Sequence, residues 1–311
     1  MYTNLYIDLK IGDEGANYLS TILTDCVHLS TLVLLLENNK ICSNGCSDIL
    51  SSVSKFVNLS HLTLNFENNK INDEDASNLE LSLDNGSKLE YLSLNFSNNE
   101  ISDQFISKIG QALQKCQSLS YLSLDFSKSK IGNIGVYNLS LGIESCIQLS
   151  TLNLNLDKSN IGSQGAQDLG KFLAKCSKLS NLHLKLGNSS LKDESFQALG
   201  SGLGNCKNLQ FLTLNLEFNY YFSQSSAYQL GSGLAYCSNL QHFILLLQRN
   251  DVRFQGVSKL ISALAHCRKL YVFELWSREC EIYEKGKKKL LKQLHKMKNL
   301  VKQFVLVYES F

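Results

Sequence analysis

The chain has no proline in 311 residues. That excludes proline kinks, proline-rich linkers and polyproline docking segments. No apolar run approaches the roughly 18 residues that would mark a transmembrane helix. The opening residues, MYTNLYIDLKIGDEG, have neither a basic start nor an apolar stretch, so they do not read as a secretory signal. Net charge is only +2, and no global field draws the chain to nucleic acid or membrane. Also missing are a G-x-x-x-x-G-K-S/T phosphate loop, an H-E-x-x-H motif, a nucleophile elbow and a G-x-G-x-x-G turn. The six histidines are scattered too widely to share a metal. A built-in nucleotide switch is excluded, and no catalytic, cofactor-binding or metal-binding residues are expected.

What is present is a repeat. Around Leu152 the chain reads LNLNLDKSNIGSQGAQDLGKFLAKCSKL, and the same pattern returns 30 residues to either side. Leu152, Leu154 and Leu156 alternate with polar residues, which predicts a strand with one apolar face. A turn with Ser159, Ile161 and Gly165 follows, and then Ala166, Leu169, Leu173 and Cys176 recur at helical spacing. Full repeats start at Leu32, Leu62, Leu92, Leu122, Leu152, Leu182 and Leu212. One extra residue near Tyr220-Tyr221-Phe222 moves the next starts to Phe243 and Phe273. Residues 1–31 form an abbreviated first repeat, with a strand at Leu5–Leu9 and only Lys10 before Ile11; the last strand is expected at Phe304–Tyr308. A fixed period of this length predicts an α/β solenoid, one domain over residues 1–311. Strands about 4.8 Å apart and helices about 10 Å apart predict a curved horseshoe. About 11 parallel strands would line its concave face and about 10 helices its convex face.

Seven of the ten cysteines share one column: Cys26, Cys116, Cys146, Cys176, Cys206, Cys237 and Cys267. Helix ends about 10 Å apart exceed the roughly 7 Å that a disulfide spans. The column predicts small buried hydrophobes in a reduced, intracellular chain. Cys42 and Cys46 are spaced like metal ligands on a helix, but Cys46 sits in the core column of Ile106, Val136 and Ala166. Cys280 stands outside the cysteine column and is expected to be an exposed thiol. A polar column, Asn39, Asn69, Asn99, Ser129, Ser159 and Ser189, marks the exit from each strand, where side chains can satisfy backbone groups. Gly45, Gly135 and Gly165 allow close approach as each helix begins.

The consensus L-x-x-L-x-L-x-F/L-x-x-N-x-I-x-x-x-G-x-x-x-L-x-x-x-L-x-x-C resembles leucine-rich repeats of the ribonuclease-inhibitor type. The 30-residue period and the Leu-x-Leu-Asn-Leu strand are similar to arrays common in ciliates, and the resemblance covers about residues 4–308. It implies a leucine-rich-repeat horseshoe that binds protein through its concave strand face. The same family includes GTPase activators for Ran, which is the alternative function the resemblance implies.

Outward strand positions form files up that face. One runs Asn65, Asn95, Asp125, Asn155, Lys185, Asn215, Leu246, Trp276, and its asparagines are expected to bond to one another. Near the end the files turn apolar: Ile244, Leu246 and Trp276, rimmed by Glu274, Arg249 and Arg278, have the character of an interface centre. Tyr91 and Tyr121 extend the candidate surface. Residues 273–311 form a basic cap region whose lysines, Lys285, Lys287, Lys288, Lys289, Lys292 and Lys296, suit an acidic partner. No aromatic platform is interleaved with them, so nucleic acid is not expected. The N-terminal strand edge is expected to be covered by another chain or a missing segment. The expectation is a non-enzymatic scaffold or structural component of an intracellular assembly. It is placed in the cytoplasm, with the cytoskeleton or a cilium as its specific site.

Overall fold

Among the described residues the Leu-x-Leu runs form five-residue strands, and helically spaced apolar runs form the helices behind them. A computed structural model describes residues 2–6, 10–75, 82–83, 85–297 and 299–306. The chain divides into two compact units, Met1–Asn155 and Leu156–Phe311. In the first unit the strands are β1 (Tyr2–Tyr6), β2 (Thr31–Leu35), β3 (His61–Asn65), β4 (Tyr91–Asn95), β5 (Tyr121–Asp125) and β6 (Thr151–Asn155). They pair in chain order, each parallel to the next. The helices are α1 (Gly12–Thr24), α2 (Ser43–Val53), α3 (Asp103–Leu113) and α4 (Asn133–Glu144).

In the second unit β7 (Asn181–Lys185), β8 (Phe211–Asn215), β9 (His242–Leu246), β10 (Val272–Trp276) and β11 (Lys302–Leu306) pair the same way. They alternate with α5 (Gly162–Leu173), α6 (Asp193–Asn205), α7 (Gln224–Leu234), α8 (Arg253–Leu264) and α9 (Glu284–Leu294). Both units are α/β solenoid stacks. The core of each lies between its strands and its helices.

Two strand positions differ from expectation. Leu5, Ile7 and Leu9 alternate equally well in more than one register, but backbone pairing sets Thr3 against Leu32 and Leu5 against Leu34. The first strand is therefore Tyr2–Tyr6, and the first repeat lacks one residue rather than three; Ile7 and Leu9 lie outside the described residues. The last strand is Lys302–Leu306, and Tyr308 lies outside the described residues.

Inward strand residues such as Leu32, Leu34 and Leu36 are fully buried, as are Phe66 and Phe96, whose rings stack with centroids 5.3 Å apart. Burying each such side chain contributes roughly 1.5–3 kcal/mol. The helices meet backbone to backbone. A Cβ on Gly142 would lie 2.1 Å from the Gly110 carbonyl oxygen, and one on Gly202 equally close to that of Gly170. Side chains therefore do not hold these helices at the ordinary spacing of 8–10 Å.

The strand-exit column does the polar work. Asn69 accepts the N–H groups of Asn39 and Ile41 at 3.1 and 2.9 Å, and its amide donates to the carbonyls of Leu36, Phe66 and Glu67. Asn99 and Asn219 repeat the arrangement. The extra residue lies between Asn219 and Phe222, where Tyr220 and Tyr221 are about two-thirds exposed. There the Phe222 N–H turns to the Asn219 carbonyl at 2.7 Å, and the buried Oδ1 of Asn250 is left without a partner.

Helix starts are capped from the preceding repeat. Asp13 in α1 accepts the N–H groups of Cys42 and Gly45 ahead of α2 and in its first turn, at 2.7 and 3.2 Å. Asp73 serves Ser102 in the same way, and Asp103 serves Gly132. In the second unit Asp193 accepts the hydroxyls of Ser223 and Ser226. Gly45 and Gly135 stand where a Cβ would meet these carboxylates at 2.6 Å.

All ten cysteines are free. Cys116, Cys146, Cys206, Cys237 and Cys267 are buried, while Cys26 and Cys176 are partly exposed. Their thiols also close helix ends: Cys206 Sγ donates to the Leu173 carbonyl at 3.0 Å and Cys237 Sγ to that of Leu203 at 3.2 Å. Cys280 is not exposed as expected but 1% accessible. It falls 30 residues after Asn250 and occupies the asparagine column, its Sγ donating to the Leu247 carbonyl at 2.8 Å.

Two measurements follow from this packing. Burial pushes the thiols of Cys116, Cys206 and Cys280 up to about 12. The thiolate is the reactive species, so an alkylating reagent should label Cys26, Cys42 and Cys176 well before these three, read by peptide mass spectrometry. Deleting Tyr221 should return an N–H to Asn250 Oδ1 and raise stability by about 1 kcal/mol, read by denaturant unfolding.

Candidate protein-binding face

Outward positions on the strands form three files in each unit. In the first unit one file is Thr31, His61, Tyr91, Tyr121 and Thr151. Tyr91 and Tyr121 lie nearly parallel with ring centroids 4.2 Å apart, and His61 stacks on Tyr91 at 5.8 Å. Burial, and then the Tyr121 hydroxyl, raise the Tyr91 phenol above its ordinary value. Tyr121 also accepts the Asn153 amide at 2.8 Å. The stacked rings present edges and hydroxyls to solvent rather than faces.

Asn65 and Asn95 of the asparagine file turn to acidic side chains and not to each other. Asn65 donates to Glu37 at 3.2 Å, Asn95 to Glu67 at 3.2 Å and Asn155 to Asp125 at 2.7 Å. Oδ1 of Asn65 and of Asn95 accepts a backbone N–H two residues on. The strands run parallel and in register, so a carboxylate one repeat back, in the loop for Asn65 and Asn95 and on β5 for Asn155, is a better acceptor than a neighbouring amide that needs its own oxygen for the turn.

In the second unit the file Lys185, Asn215, Leu246, Trp276 runs beside His183, Thr213, Ile244, Glu274, Phe304. Ile244, Leu246 and Trp276 are all partly exposed. The Trp276 ring rests against Phe304 with centroids 5.2 Å apart. Glu274 lies 3.8 Å from the Lys302 ammonium. Arg249 and Arg278 stand in the loops after β9 and β10. Arg249 pairs with Glu279 at 2.9 Å and lies over the Phe218 ring at 5.3 Å. Ile244, Leu246, Trp276 and Glu274 therefore share one face with the two arginines at its rim, while Tyr91 and Tyr121 stack on each other in the first unit.

Phe304 follows Ile244 and Glu274 by steps of 30, is 39% exposed and adds to this face a residue that its place in the last strand hides from the repeat pattern. Tyr220 and Tyr221 were noticed only as an insertion.

The basic helix is separate from this face. α9 packs on α8 through Gln293 and Ser258, with buried Leu290 and Leu294 beneath it. Lys285, Lys288, Lys289, Lys292 and Lys296 are exposed; Lys287 is 3.5 Å from Glu284, and Lys289 lies over Phe254 at 5.6 Å. The core layer stands between these lysines and Trp276, so they do not form one surface. Among the described residues no three His, Cys, Asp or Glu side chains converge as metal ligands. Among the same residues no helix is long and apolar enough to cross a membrane.

One polar cluster sits at the edge of the second face. Gly187 leaves a gap across which Asp157 reaches Asn215 at 3.3 Å while accepting the Gly187 N–H at 2.6 Å. Beyond the gap is Glu217, with Oε1 buried and without a hydrogen bond. Burial, and then Asp157, raise the Glu217 carboxyl above its ordinary value, against a bond from Gln248 and the charge of Lys185.

No protein-family model matches the chain, and no curated protein matches it. Among solved structures 76 chains match. One is the crystal structure of a TLR13–ssRNA13 complex, at 13% identity and a TM-score of 0.29, covering 94% of this chain and 56% of that one. This chain spans about half the length of that neighbour.

The raised Glu217 carboxyl sets a pH dependence. The folded chain holds that proton to a higher pH than the unfolded chain. The group's contribution to stability is therefore full below the ordinary carboxylate range and is lost as pH rises through the folded value. Glu217→Gln should melt at a higher temperature than the parent at neutral pH, with the gap closing toward pH 4, read by thermal unfolding across pH. The 30-residue strand–loop–helix unit, the inward leucines and the asparagine column together make the fold that of an α/β leucine-rich-repeat solenoid.

Proposed function

We propose that this protein is a non-enzymatic scaffold that grips a protein partner on the strand face of its second unit. The observation that carries this is the cluster of Ile244, Leu246 and Trp276 against Phe304, apolar and accessible at the end of two files that are polar through β3–β8. In the two files that carry this cluster the positions on β3–β8 are mostly Thr, Ser or Asn, which water satisfies at little cost. A tryptophan among aliphatics, with charges at the rim, is how interface hot spots are composed. Arg249, Arg278 and Lys302 favour a partner whose contact region is acidic at its edge, and binding should weaken with salt.

The repeat suits the ribonuclease-inhibitor type, in which a helix backs the strand, as it does in most of the described repeats. Ten free thiols suit a reducing compartment, so we place the protein inside the cell, in a larger assembly. The lysines of α9 act as a solvated cap over the last repeat. They contribute long-range attraction rather than contacts at Trp276.

The test is affinity capture from the native source with parent chain and variants, followed by titration of the recovered partner. Trp276→Ala should weaken binding at least tenfold, about 1.4 kcal/mol or more, with unfolding unchanged. Asn95→Ala should leave affinity within about twofold. Equal binding by the parent and Trp276→Ala sinks the proposal.

A further inference from the structure

We propose that the helix-to-strand edge of the second unit docks on an anionic membrane surface. The inference goes beyond the strand-face proposal and does not use Trp276. Five turns make up this edge, at residues 174–180, 206–210, 235–241, 265–271 and 295–301. They carry Lys175, Lys178, Lys207, Arg268, Lys269 and Lys296, all exposed. No acidic residue falls in any of these turns, an excess that the chain's net charge of +2 conceals. Asp168, midway along α5, is held by Lys171 at 2.8 Å, and Glu274, midway along β10, lies 3.8 Å from Lys302. The unit's other described acids stand in strand-exit loops or in the first turns of helices. Helix C-termini attract cations, and Lys207 does donate to the Gly204 carbonyl at 2.7 Å. That attraction does not exclude acids, because the same turns of the first unit carry Asp25, Glu90 and Glu144 beside Lys55, Lys88 and Lys115.

A purely basic edge fits a negatively charged partner. Its composition favours lipid over an acidic protein. Lysine outnumbers arginine five to one among the six residues. Protein interfaces are enriched in arginine, whose planar fork matches carboxylates, and are poor in lysine. Headgroups without fixed spacing ask only for positive charge near the surface. The strands are parallel and in register, so the turns present their charges side by side along one edge and not around a single acidic group. Two side chains then favour lipid over nucleic acid. Val301 and Tyr236 project from the same turns, 87% and 70% exposed. An aliphatic group and a phenol among lysines can enter the headgroup layer. A phosphate backbone offers Val301 no contact, and one tyrosine is no stacking platform for successive bases. The reducing compartment proposed above is bounded by leaflets that carry anionic lipid.

Co-sedimentation of the full chain with phosphatidylcholine–phosphatidylserine vesicles should show binding that is absent on pure phosphatidylcholine vesicles and weakens as salt is raised. Arg268→Glu combined with Lys296→Glu should weaken it at least about tenfold, and Val301→Asp about fivefold. Lys128→Glu with Lys130→Glu makes the same charge change at exposed strand-exit positions of the first unit, and should leave binding within about twofold. All five positions are exposed, and thermal unfolding checks that each variant is folded. A parent chain that ignores the anionic vesicles at low salt overturns the proposal. So does binding that survives Arg268→Glu with Lys296→Glu, or an equal loss in the variant at Lys128 and Lys130. A DNA oligonucleotide or polyglutamate that binds more tightly than the vesicles, with no effect of Val301→Asp, assigns the edge to a soluble polyanion and overturns it as well.

Discussion

Everything in the repeat depends on what becomes of the backbone where each strand ends. The chain turns there inside the protein, and its N–H and C=O groups have no ladder to join. Leaving one buried polar group unsatisfied costs about 1–3 kcal/mol. A single asparagine meets the need of two repeats at once. Asn99 accepts the N–H of Ile71 from the repeat before, donates to the Phe66 carbonyl there, and donates to Phe96 and Ser97 in its own repeat. Leucine burial provides the bulk of the stability, but it is not directional. The asparagine supplies register, because its bonds close only when neighbouring turns sit one period apart.

Departures in that column show how strict the constraint is. Serine has one short hydroxyl and reaches less: Ser189 bonds two carbonyls at 3.2–3.3 Å, and Ser159 Oγ finds no partner. Cys280 fills the role with a thiol in place of an amide, donating to the Leu247 and Arg278 carbonyls while the backbone N–H of Asn250 bonds its sulfur. One residue inserted before Phe222 disables the acceptor half of Asn250. The insertion leaves every strand register intact, so what it disturbs is local polar satisfaction rather than the hydrophobic stack. It also sets two exposed tyrosines at that turn.

Period, strand–helix order, inward leucines and the asparagine column were legible because each is a statement about one residue and its own spacing. What was not legible involves pairs. Asp103 looks like an ordinary acidic residue in a helix's first turn, yet its partner is the N–H of Gly132 in the next repeat. Cys280 was judged against the cysteine column when counting 30 from Asn250 places it in the other one. The first strand could slide because Leu5, Ile7 and Leu9 offer the same alternation in several registers, and only pairing with Thr31–Leu35 decides. The Trp276 cluster was readable from its files, but its contact with Phe304 depended on where the last strand begins.

The fold separates what must stay from what can vary. Inward leucines, exit asparagines, trans-capping aspartates and close-packed glycines each answer to a neighbour one repeat away, so a change at any of them is felt twice. Outward strand residues and outward helix residues answer to water. The same backbone can therefore carry Thr, Asn or Trp at equivalent strand positions, and Gln111 or Leu141 at equivalent helix positions, with little effect on its own packing. Large apolar groups at such positions add nothing to the fold and lose favourable hydration. Trp276 keeps such a group partly exposed even against Phe304, and the proposed strand-face contact rests on that exposure.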